Sequence, residues 1–283
     1  MKKCISYWAF GGGLEGAKDI RECLEEAKEL RFDGVELCVG EEGRLSLSTT
    51  RPQCEKILRN AAEIGIEIVS LASGVAWSYN FGSSSASLRE EAVHATERSL
   101  QIANWLEVDT LLTIPAAVDV FFNPDAEIVP YDVAFQRARE GIAKCIPFAE
   151  RCEVMMAIEN VWNKLFLSPL EMCQFIDSFK SRYVGAYFDV GNCITTGYPE
   201  QWIRILGKRI KRVHFKDFRA AVGDANGFVD LLEGDVNWPE VMAALREVGY
   251  DGAVTAEMIP PYRFYPEVRL KNTSTAMDAI LGR

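Results

Sequence analysis

The sequence has few of the residues on which several common kinds of enzyme depend. Only two histidines, His94 and His214, occur among its 283 residues. His94 lies among acidic residues in a stretch of helical period, where we expect a solvated side chain, so any Ser-His-Asp or Cys-His system would have to use His214. The glycines Gly11–Gly13 lack the G-x-G-x-x-G spacing of dinucleotide-binding turns. Nucleophilic hydrolysis and hydride transfer are therefore disfavoured.

Basic clusters, cysteine pairs and long apolar runs are also missing. Acidic residues outnumber basic ones 41 to 31, and no Lys/Arg run exceeds Lys2-Lys3, which argues against a nucleic-acid partner. The eight cysteines form no C-x-x-C pair, as expected of reduced, mostly buried side chains. No apolar run reaches the ~18 residues of a membrane span, and Cys4–Phe10 is too short for the core of a signal peptide. We therefore expect a cytoplasmic protein without a membrane partner.

Eight short apolar, β-branched runs alternate with eight longer segments of helical period. This alternation is typical of a parallel sheet, and eight repeats favour a closed (β/α)8 TIM barrel of the α/β class over a doubly wound open sheet. The predicted strands are Cys4–Phe10, Gly34–Val39, Glu67–Ser73, Thr110–Pro115, Met155–Asn160, Val184–Val190, Arg212–Phe218 and Ala253–Met258. The predicted helices are Leu14–Leu30, Arg51–Ile64, Ser87–Trp105, Asp132–Cys152, Ser168–Phe179, Pro199–Leu206, Trp238–Val248 and Pro266–Leu281.

The connections differ in length at the two ends of the predicted strands. Helix-to-strand joints are short and contain glycine, as a left-handed helix cap requires. Strand-to-helix joints such as Gly74–Ala86 and Arg219–Asn237 are long. Long loops thus collect at the carboxyl ends of the strands, where barrels of this kind place their chemistry. No linker divides the chain, so we predict one domain over residues 1–283.

Four polar residues lie at the ends of predicted strands five to eight. They are Glu159, Asp189, His214 and Glu257, one from each strand. Consecutive barrel strands lie about 4.8 Å apart, so inward side chains at one height would converge on a single ion. Three carboxylates and one imidazole suit Mn²⁺ or Mg²⁺, and are compatible with Co²⁺ or Zn²⁺. The alternative is that each acid pairs with a nearby cation such as Lys216, Arg212 or Lys164.

Six segments carry a resemblance to a known family. They are Phe32–Leu37, Ile158–Asn160, Phe188–Asn192, Val213–Asp217, Gly234–Trp238 and Gly249–Gly252, the last followed by Glu257. In this order they resemble the xylose isomerase-like barrel superfamily over nearly the whole chain. The match is closest to its sugar isomerase/epimerase group, which includes ketose 3-epimerases, L-xylulose-5-phosphate 3-epimerases, hydroxypyruvate isomerases and inosose dehydratases. The resemblance implies a TIM barrel with a role in carbohydrate metabolism.

The resemblance also implies roles for individual residues. Ketose 3-epimerases hold their metal with Glu, Asp, His and Glu at the ends of strands five to eight, and these positions correspond to the four residues named above. The two glutamates, Glu159 and Glu257, then form the acid/base pair. Asn192 stands where those epimerases have a histidine, and Ala220 where they have an arginine. The residues Asn192 and Lys216-Asp217 are more similar to the phosphosugar and inosose branches.

Such a site suits proton transfer beside a ketone. A divalent ion on the carbonyl and neighbouring hydroxyl oxygens stabilises an enediolate, and two carboxylates can serve as base and acid on opposite faces. We therefore predict a metal-dependent isomerase or epimerase of a ketose or ketose phosphate. Because such barrels are commonly oligomeric, a homodimer or homotetramer is expected.

Substrate-binding roles are predicted for Glu36, Trp8, Trp162, Asn192 and Lys216. Glu36 would bind a sugar hydroxyl or form a structural ion pair, and Trp8 and Trp162 would form apolar walls around the sugar carbons. Lys216 would reach a substrate oxygen or pair with an acid of the site.

Three other functions are compatible with parts of the pattern. An inosose dehydratase-type lyase would use the same metal and base and then expel a hydroxyl group. A phosphodiesterase of the abasic-site endonuclease type needs more histidines than this chain offers, and the net charge of −10 disfavours it further. A barrel that binds a metal without catalysis is the remaining alternative.

Overall fold

Parallel strands close into a barrel in the computed structural model, which describes residues 1–283. The strands are β1 (Lys2–Ser6), β2 (Gly34–Val39), β3 (Glu67–Ser73), β4 (Thr110–Thr113), β5 (Met155–Glu159), β6 (Val184–Asp189), β7 (Ile210–Phe215), β8 (Asp217–Phe218), β9 (Phe228–Val229) and β10 (Ala253–Ala256). The helices are α1 (Ile20–Glu29), α2 (Arg51–Ile64), α3 (Ala86–Trp105), α4 (Tyr131–Cys152), α5 (Pro169–Ser178), α6 (Pro199–Leu206), α7 (Trp238–Glu247) and α8 (Pro266–Leu281). Eight strands pair in the closed order β1-β10-β7-β6-β5-β4-β3-β2, which confirms the predicted (β/α)8 barrel.

The barrel strands are buried on both faces, as expected where helices surround a parallel sheet. Every residue of β2 and of β6 is buried, and 71 buried apolar residues form one continuous core. Short glycine-capped joints lead back into the strands: Gly65 ends α2 in the left-handed region at φ 72°, a conformation that glycine adopts without strain. None of the eight helices combines the length and apolar character needed to cross a bilayer.

In two predicted elements a capping residue sets a boundary several residues away from the predicted one. The predicted strand Cys4–Phe10 ends at Ser6, whose hydroxyl accepts a hydrogen bond from the Trp8 N–H and starts a single 3-10 turn. The predicted helix Leu14–Leu30 begins only at Ile20, because the carboxylate of Asp19 caps the first turn. Both differences lie in the segment that joins β1 to α1.

The predicted strand Arg212–Phe218 is in fact two elements. Strand β7 ends at Phe215, and Asp217–Phe218 forms β8, which pairs antiparallel with β9 outside the barrel. The buried carboxylate of Asp217 stabilises this arrangement. Its Oδ1 accepts from the N–H groups of Phe218 (2.9 Å) and Val236 (3.2 Å), and its Oδ2 accepts from Leu232 N–H (2.9 Å) and Trp238 Nε1 (3.0 Å). One side chain thus fixes the long loop that forms one side of the barrel mouth.

Asp217→Ala is expected to lower the free energy of unfolding by about 3 kcal/mol, because it leaves several buried N–H donors without an acceptor. Urea unfolding followed by circular dichroism measures the change. Asp251→Ala, at an exposed aspartate, is the control and should unfold like the unaltered protein. Equal midpoints for the two variants would contradict the role given to Asp217.

Candidate metal centre and active site

Four side chains meet at the carboxyl ends of adjacent barrel strands. Glu159 ends β5, Asp189 ends β6, and His214 lies beside Asp189 in the register of β6 and β7. Glu257 directly follows β10, and its N–H donates to the Phe215 carbonyl (3.2 Å), which extends the pairing of β10 with β7. One ligand atom from each of the four lies within 4.8 Å of the others, and all four side chains are buried. The structure therefore brings together the complete set that the sequence predicts as metal ligands.

A pair of asparagines fixes Asp189. The Asp189 N–H donates to Asn160 Oδ1 (2.8 Å), and Asn160 Nδ2 donates back to the Asp189 carbonyl (2.8 Å). The Asn192 N–H donates to Asp189 Oδ1 (2.8 Å), while Asn192 Nδ2 donates to the Asn160 carbonyl (3.0 Å). Asn192 therefore holds a carboxylate as well as lining the cavity described below. Asn160 was not predicted as a site residue, although it is an amide that directly follows the strand-ending acid Glu159.

A hydrogen bond to Glu36 fixes the orientation of the His214 ring. The His214 Nε2 lies 2.9 Å from Glu36 Oε1, a hydrogen bond in which the ring N–H donates. The other oxygen, Glu36 Oε2, accepts from Ser70 Oγ (2.9 Å) and from the Tyr187 hydroxyl. This leaves His214 Nδ1 facing the acids, 3.2 Å from Glu159 Oε1 and 3.8 Å from Asp189 Oδ2. A ring fixed through one nitrogen presents the other in a defined direction, as metal-binding histidines do.

Glu36 does not lie where it could bind a substrate, which is one of the two roles predicted for it. Its side chain is 0% exposed, both of its oxygens are hydrogen-bonded, and it does not line the cavity. The ring of His214 stands between it and the three acids. The hydroxyl partners Ser70 and Tyr187 were not predicted, because a side chain that turns into a barrel from mid-strand gives no local signal in the sequence.

Two buried carboxylate oxygens of the cluster accept no hydrogen bond: Asp189 Oδ2 and Glu257 Oε2. The ammonium of Lys216 lies against both, 3.2 Å from the first and in contact with the second, without hydrogen-bond geometry. Buried oxygens of this kind are costly without a positive partner. Together with Glu159 and His214 Nδ1 they form a mainly oxygen donor set, which fits a divalent cation.

Burial and charge shift the pKa values of the cluster. The pKa of Glu159 is raised to about 7, mainly by burial; the hydrogen bond to His214 opposes the shift, and the charge of Glu257 adds to it. Burial also raises the pKa of Asp189. Burial disfavours the charged forms of His214 and Lys216, but the surrounding carboxylates outweigh it and raise both pKa values. The cluster and Glu36 together contain four carboxyl groups but only two basic side chains, His214 and Lys216. This excess of acids favours the binding of a further positive charge.

A cavity of about 950 Å³ opens above the cluster. Its inner end is lined by Glu257, Lys216 and Asn192. Trp8 and Trp162, predicted as apolar walls, line it as well. Lys164, one of the cations that the sequence offers as a partner for the acids, does not line the cavity and instead pairs with Asp119 (2.6 Å) at the surface.

Comparison with known proteins agrees with the barrel fold. A family model described as xylose isomerase-like TIM barrel matches residues 24–278. SgbU of Escherichia coli strain K12, provisionally named an L-ribulose-5-phosphate 3-epimerase, is 29% identical over 86% of this chain and 85% of its own length. The L-ribulose-5-phosphate 3-epimerase UlaE of Salmonella heidelberg strain SL476 is 27% identical over 87% of this chain and 86% of its own. These similarities extend over nearly the whole barrel.

Solved structures show the same fold. D-psicose 3-epimerase of Clostridium cellulolyticum H10, crystallised with D-tagatose, superposes with a TM-score of 0.80 at 18% identity, covering 100% of this chain and 99% of that one. The IolI protein with a bound zinc atom superposes with a TM-score of 0.79 at 14% identity, covering 100% of this chain and 98% of its own. At these low sequence identities, the superpositions show a shared barrel fold.

Proposed function

Because the chain belongs to the xylose isomerase-like TIM barrel family, we propose that it is a divalent-metal-dependent epimerase or isomerase of a ketose or ketose phosphate. One observation supports this most strongly: a buried Glu/Asp/His/Glu cluster, in which two carboxylate oxygens lack hydrogen bonds, adjoins a large cavity that Glu257 lines. The names of the relatives support epimerisation of a sugar phosphate. Among the metals, Mn²⁺ and Mg²⁺ suit the oxygen-rich donors best.

Glu159, Asp189, His214 and Glu257 would hold the cation. When bound, a divalent cation would act as a Lewis acid and favour the enediolate form of a ketose. The two glutamates approach from different sides, because β6 and β7 separate β5 from β10 in the barrel order. In epimerisation one carboxylate removes the proton from the carbon beside the ketone, and the other, as the acid, returns a proton to the opposite face. Isomerisation would need only one of them.

Other side chains at the cavity would position the sugar. Trp8 and Trp162 would pack against its carbon atoms and exclude water from the proton-transfer step. Asn192 would hold Asp189 in place through its backbone N–H. Lys216 would neutralise the carboxylates until a cation replaces it, and its released ammonium would then be free to bind a substrate oxygen.

Lys216→Met is expected to raise the affinity for Mn²⁺ about tenfold or more, because the competing ammonium is removed from Asp189 and Glu257. Isothermal titration of EDTA-treated protein measures this affinity. Lys164→Met removes a charge of the same type from an exposed position outside the cavity and should leave the affinity unchanged. Weaker or unaltered Mn²⁺ binding in Lys216→Met would show that the ammonium does not compete for the site.

The direct test of the proposed function is turnover by metal-loaded protein. EDTA-treated protein is reloaded separately with Mn²⁺, Mg²⁺, Co²⁺ or Zn²⁺ and incubated with L-ribulose 5-phosphate, L-ribulose and D-tagatose. An epimer or aldose that appears with metal and not with EDTA is the expected result. Loss of water from a sugar would indicate the lyase instead, and three unchanged sugars with every metal would contradict the proposal.

A further inference from the structure

A second pocket, of about 430 Å³, lies at the end of the barrel opposite the metal centre. It is formed by the joint between α5 and β6 and the joint between α6 and β7. These two strands carry Asp189 and His214 toward their other, carboxyl ends. The volume is within the range of about 300–1,000 Å³ that is typical of small-molecule sites. This pocket is therefore separate from the cavity that the proposed function uses.

Five of the nine residues that line this pocket are basic, and only one is acidic. We call it the basic pocket, and its charged residues are Lys180, Arg182, Lys208, Arg209, Lys211 and Asp177. The whole chain has a net charge of −10. The positive charge of the basic pocket is thus a local feature that runs against the overall composition.

Only one of the five cations forms an ion pair. Arg209 Nε and Nη2 lie 2.7 and 2.6 Å from the two carboxylate oxygens of Asp177. The other four have no carboxylate within 4 Å. Lys211 Nζ donates to the Lys208 carbonyl (3.0 Å), and the Arg182 guanidinium lies over the ring of the tyrosine that follows it. Most of the positive charge therefore has no negative side chain beside it.

Helix ends account for part of this charge. Helix α5 ends at Ser178 and α6 at Leu206, so both carboxyl termini lie beside the basic pocket. Each terminus carries about half a negative charge, and Arg209 Nη1 donates to the Leu206 carbonyl (3.3 Å). Asp177 and the two helix ends together neutralise about two of the five positive charges, which leaves about three. A concave surface with such an excess attracts anions.

The size and charge of the basic pocket together indicate the class of anion. A carboxylate brings one negative charge, whereas a phosphate group brings about 1.5 to 2 and three acceptor oxygens. Two phosphate groups would therefore match the excess of about three positive charges. Lysine binds phosphate as a point charge and arginine as a planar fork, and the pocket offers both kinds of side chain.

We infer that the basic pocket binds a small molecule that carries two phosphate groups. Lys180, Arg182 and Lys208 are exposed, so such a molecule reaches them directly from solvent. The inference goes beyond the proposed function and does not depend on it, because the pocket and the metal centre lie at opposite ends of the strands. Its failure would leave the proposed function untouched.

Isothermal titration of EDTA-treated, dialysed protein with pyrophosphate tests this inference. A buffer with about 0.15 M NaCl screens diffuse attraction between the anion and the surface. We expect pyrophosphate to bind about tenfold more tightly than orthophosphate, because it carries more charge. Equal binding of the two anions would overturn the inference, as would tighter binding of hexaglutamate, which would indicate an acidic protein partner instead.

Two organic phosphates distinguish the sources of the phosphate groups. ADP carries adjacent phosphates, and fructose 1,6-bisphosphate carries separated ones. At least one of them should bind as tightly as pyrophosphate, and the one that does identifies the spacing that the pocket accepts. If neither does, the inference fails.

Substitutions locate the bound anion. The double variant Lys180→Ala/Lys208→Ala removes two exposed ammonium groups without breaking an ion pair, and should weaken pyrophosphate binding about tenfold or more. The control Lys56→Ala/Lys271→Ala removes two exposed lysines elsewhere and should bind like the unaltered protein. Unchanged binding in the first variant would overturn the inference. A loss confined to Lys216→Met would do so too, because it would place the anion at the metal centre.

Discussion

Glu257→Gln is expected to lower kcat about 10³-fold or more while the barrel stays folded. The Glu257 Oε2 is one of the two cluster oxygens that accept no hydrogen bond, and it lies at the inner end of the cavity. An amide of the same shape can neither take up a proton nor carry the negative charge that a cation requires. The initial rate with saturating metal, together with thermal unfolding followed by circular dichroism, measures both properties.

Glu267→Gln provides the matched control for this variant. Glu267 is an exposed residue in the first turn of α8, outside the cavity. Its replacement should leave kcat within the error of the unaltered protein. If Glu257→Gln kept more than about a tenth of the normal kcat, Glu257 would be excluded from proton transfer.

Replacing His214 is expected to weaken Mn²⁺ binding about 100-fold or more. The change His214→Ala removes Nδ1, the only nitrogen donor of the cluster, and leaves Glu36 without its main partner. The metal content after dialysis and the dissociation constant from isothermal titration measure this loss of Mn²⁺ affinity. The variant His94→Ala, which removes the exposed histidine of α3, should retain metal like the unaltered protein.

A second substitution keeps this prediction testable if His214→Ala does not fold. Asp189→Asn retains an oxygen for the Asn192 N–H and removes only the charge from the position of Oδ2. It should lose Mn²⁺ to a similar degree. Full metal retention in a folded Asp189→Asn protein would show that the cluster is not the metal site.

The part of the site that could be predicted from the sequence follows from parallel-sheet geometry. Because the carboxyl ends of all eight strands meet at one end of a barrel, acids at the ends of β5 and β6 must lie close to the histidine of β7. That reasoning needs only the strand order. It therefore identified Glu159, Asp189, His214 and Glu257 without any contact information.

The remaining part depends on contacts between residues far apart in sequence. Glu36 and His214 are separated by 178 positions, and nothing near Glu36 shows that its carboxylate lies beneath an imidazole. The N–H groups of Leu232 and Trp238, which donate to the Asp217 carboxylate, likewise lie 15 and 21 positions after it. Strand ends were misplaced at Ser6 and Phe215 because a cap and a two-stranded ribbon there replace the continuing apolar pattern.

Hydrogen exchange beside a ketone tests the central claim most directly. The Mg²⁺-loaded protein is incubated in D₂O with L-ribulose 5-phosphate, L-ribulose or D-tagatose, and each sugar is followed by proton NMR. The proposed function predicts that the hydrogen on the carbon beside the carbonyl is replaced by deuterium, and that EDTA or Glu257→Gln stops the exchange. Retention of that hydrogen in every sugar, with Mg²⁺, Mn²⁺, Co²⁺ or Zn²⁺ bound, would contradict it.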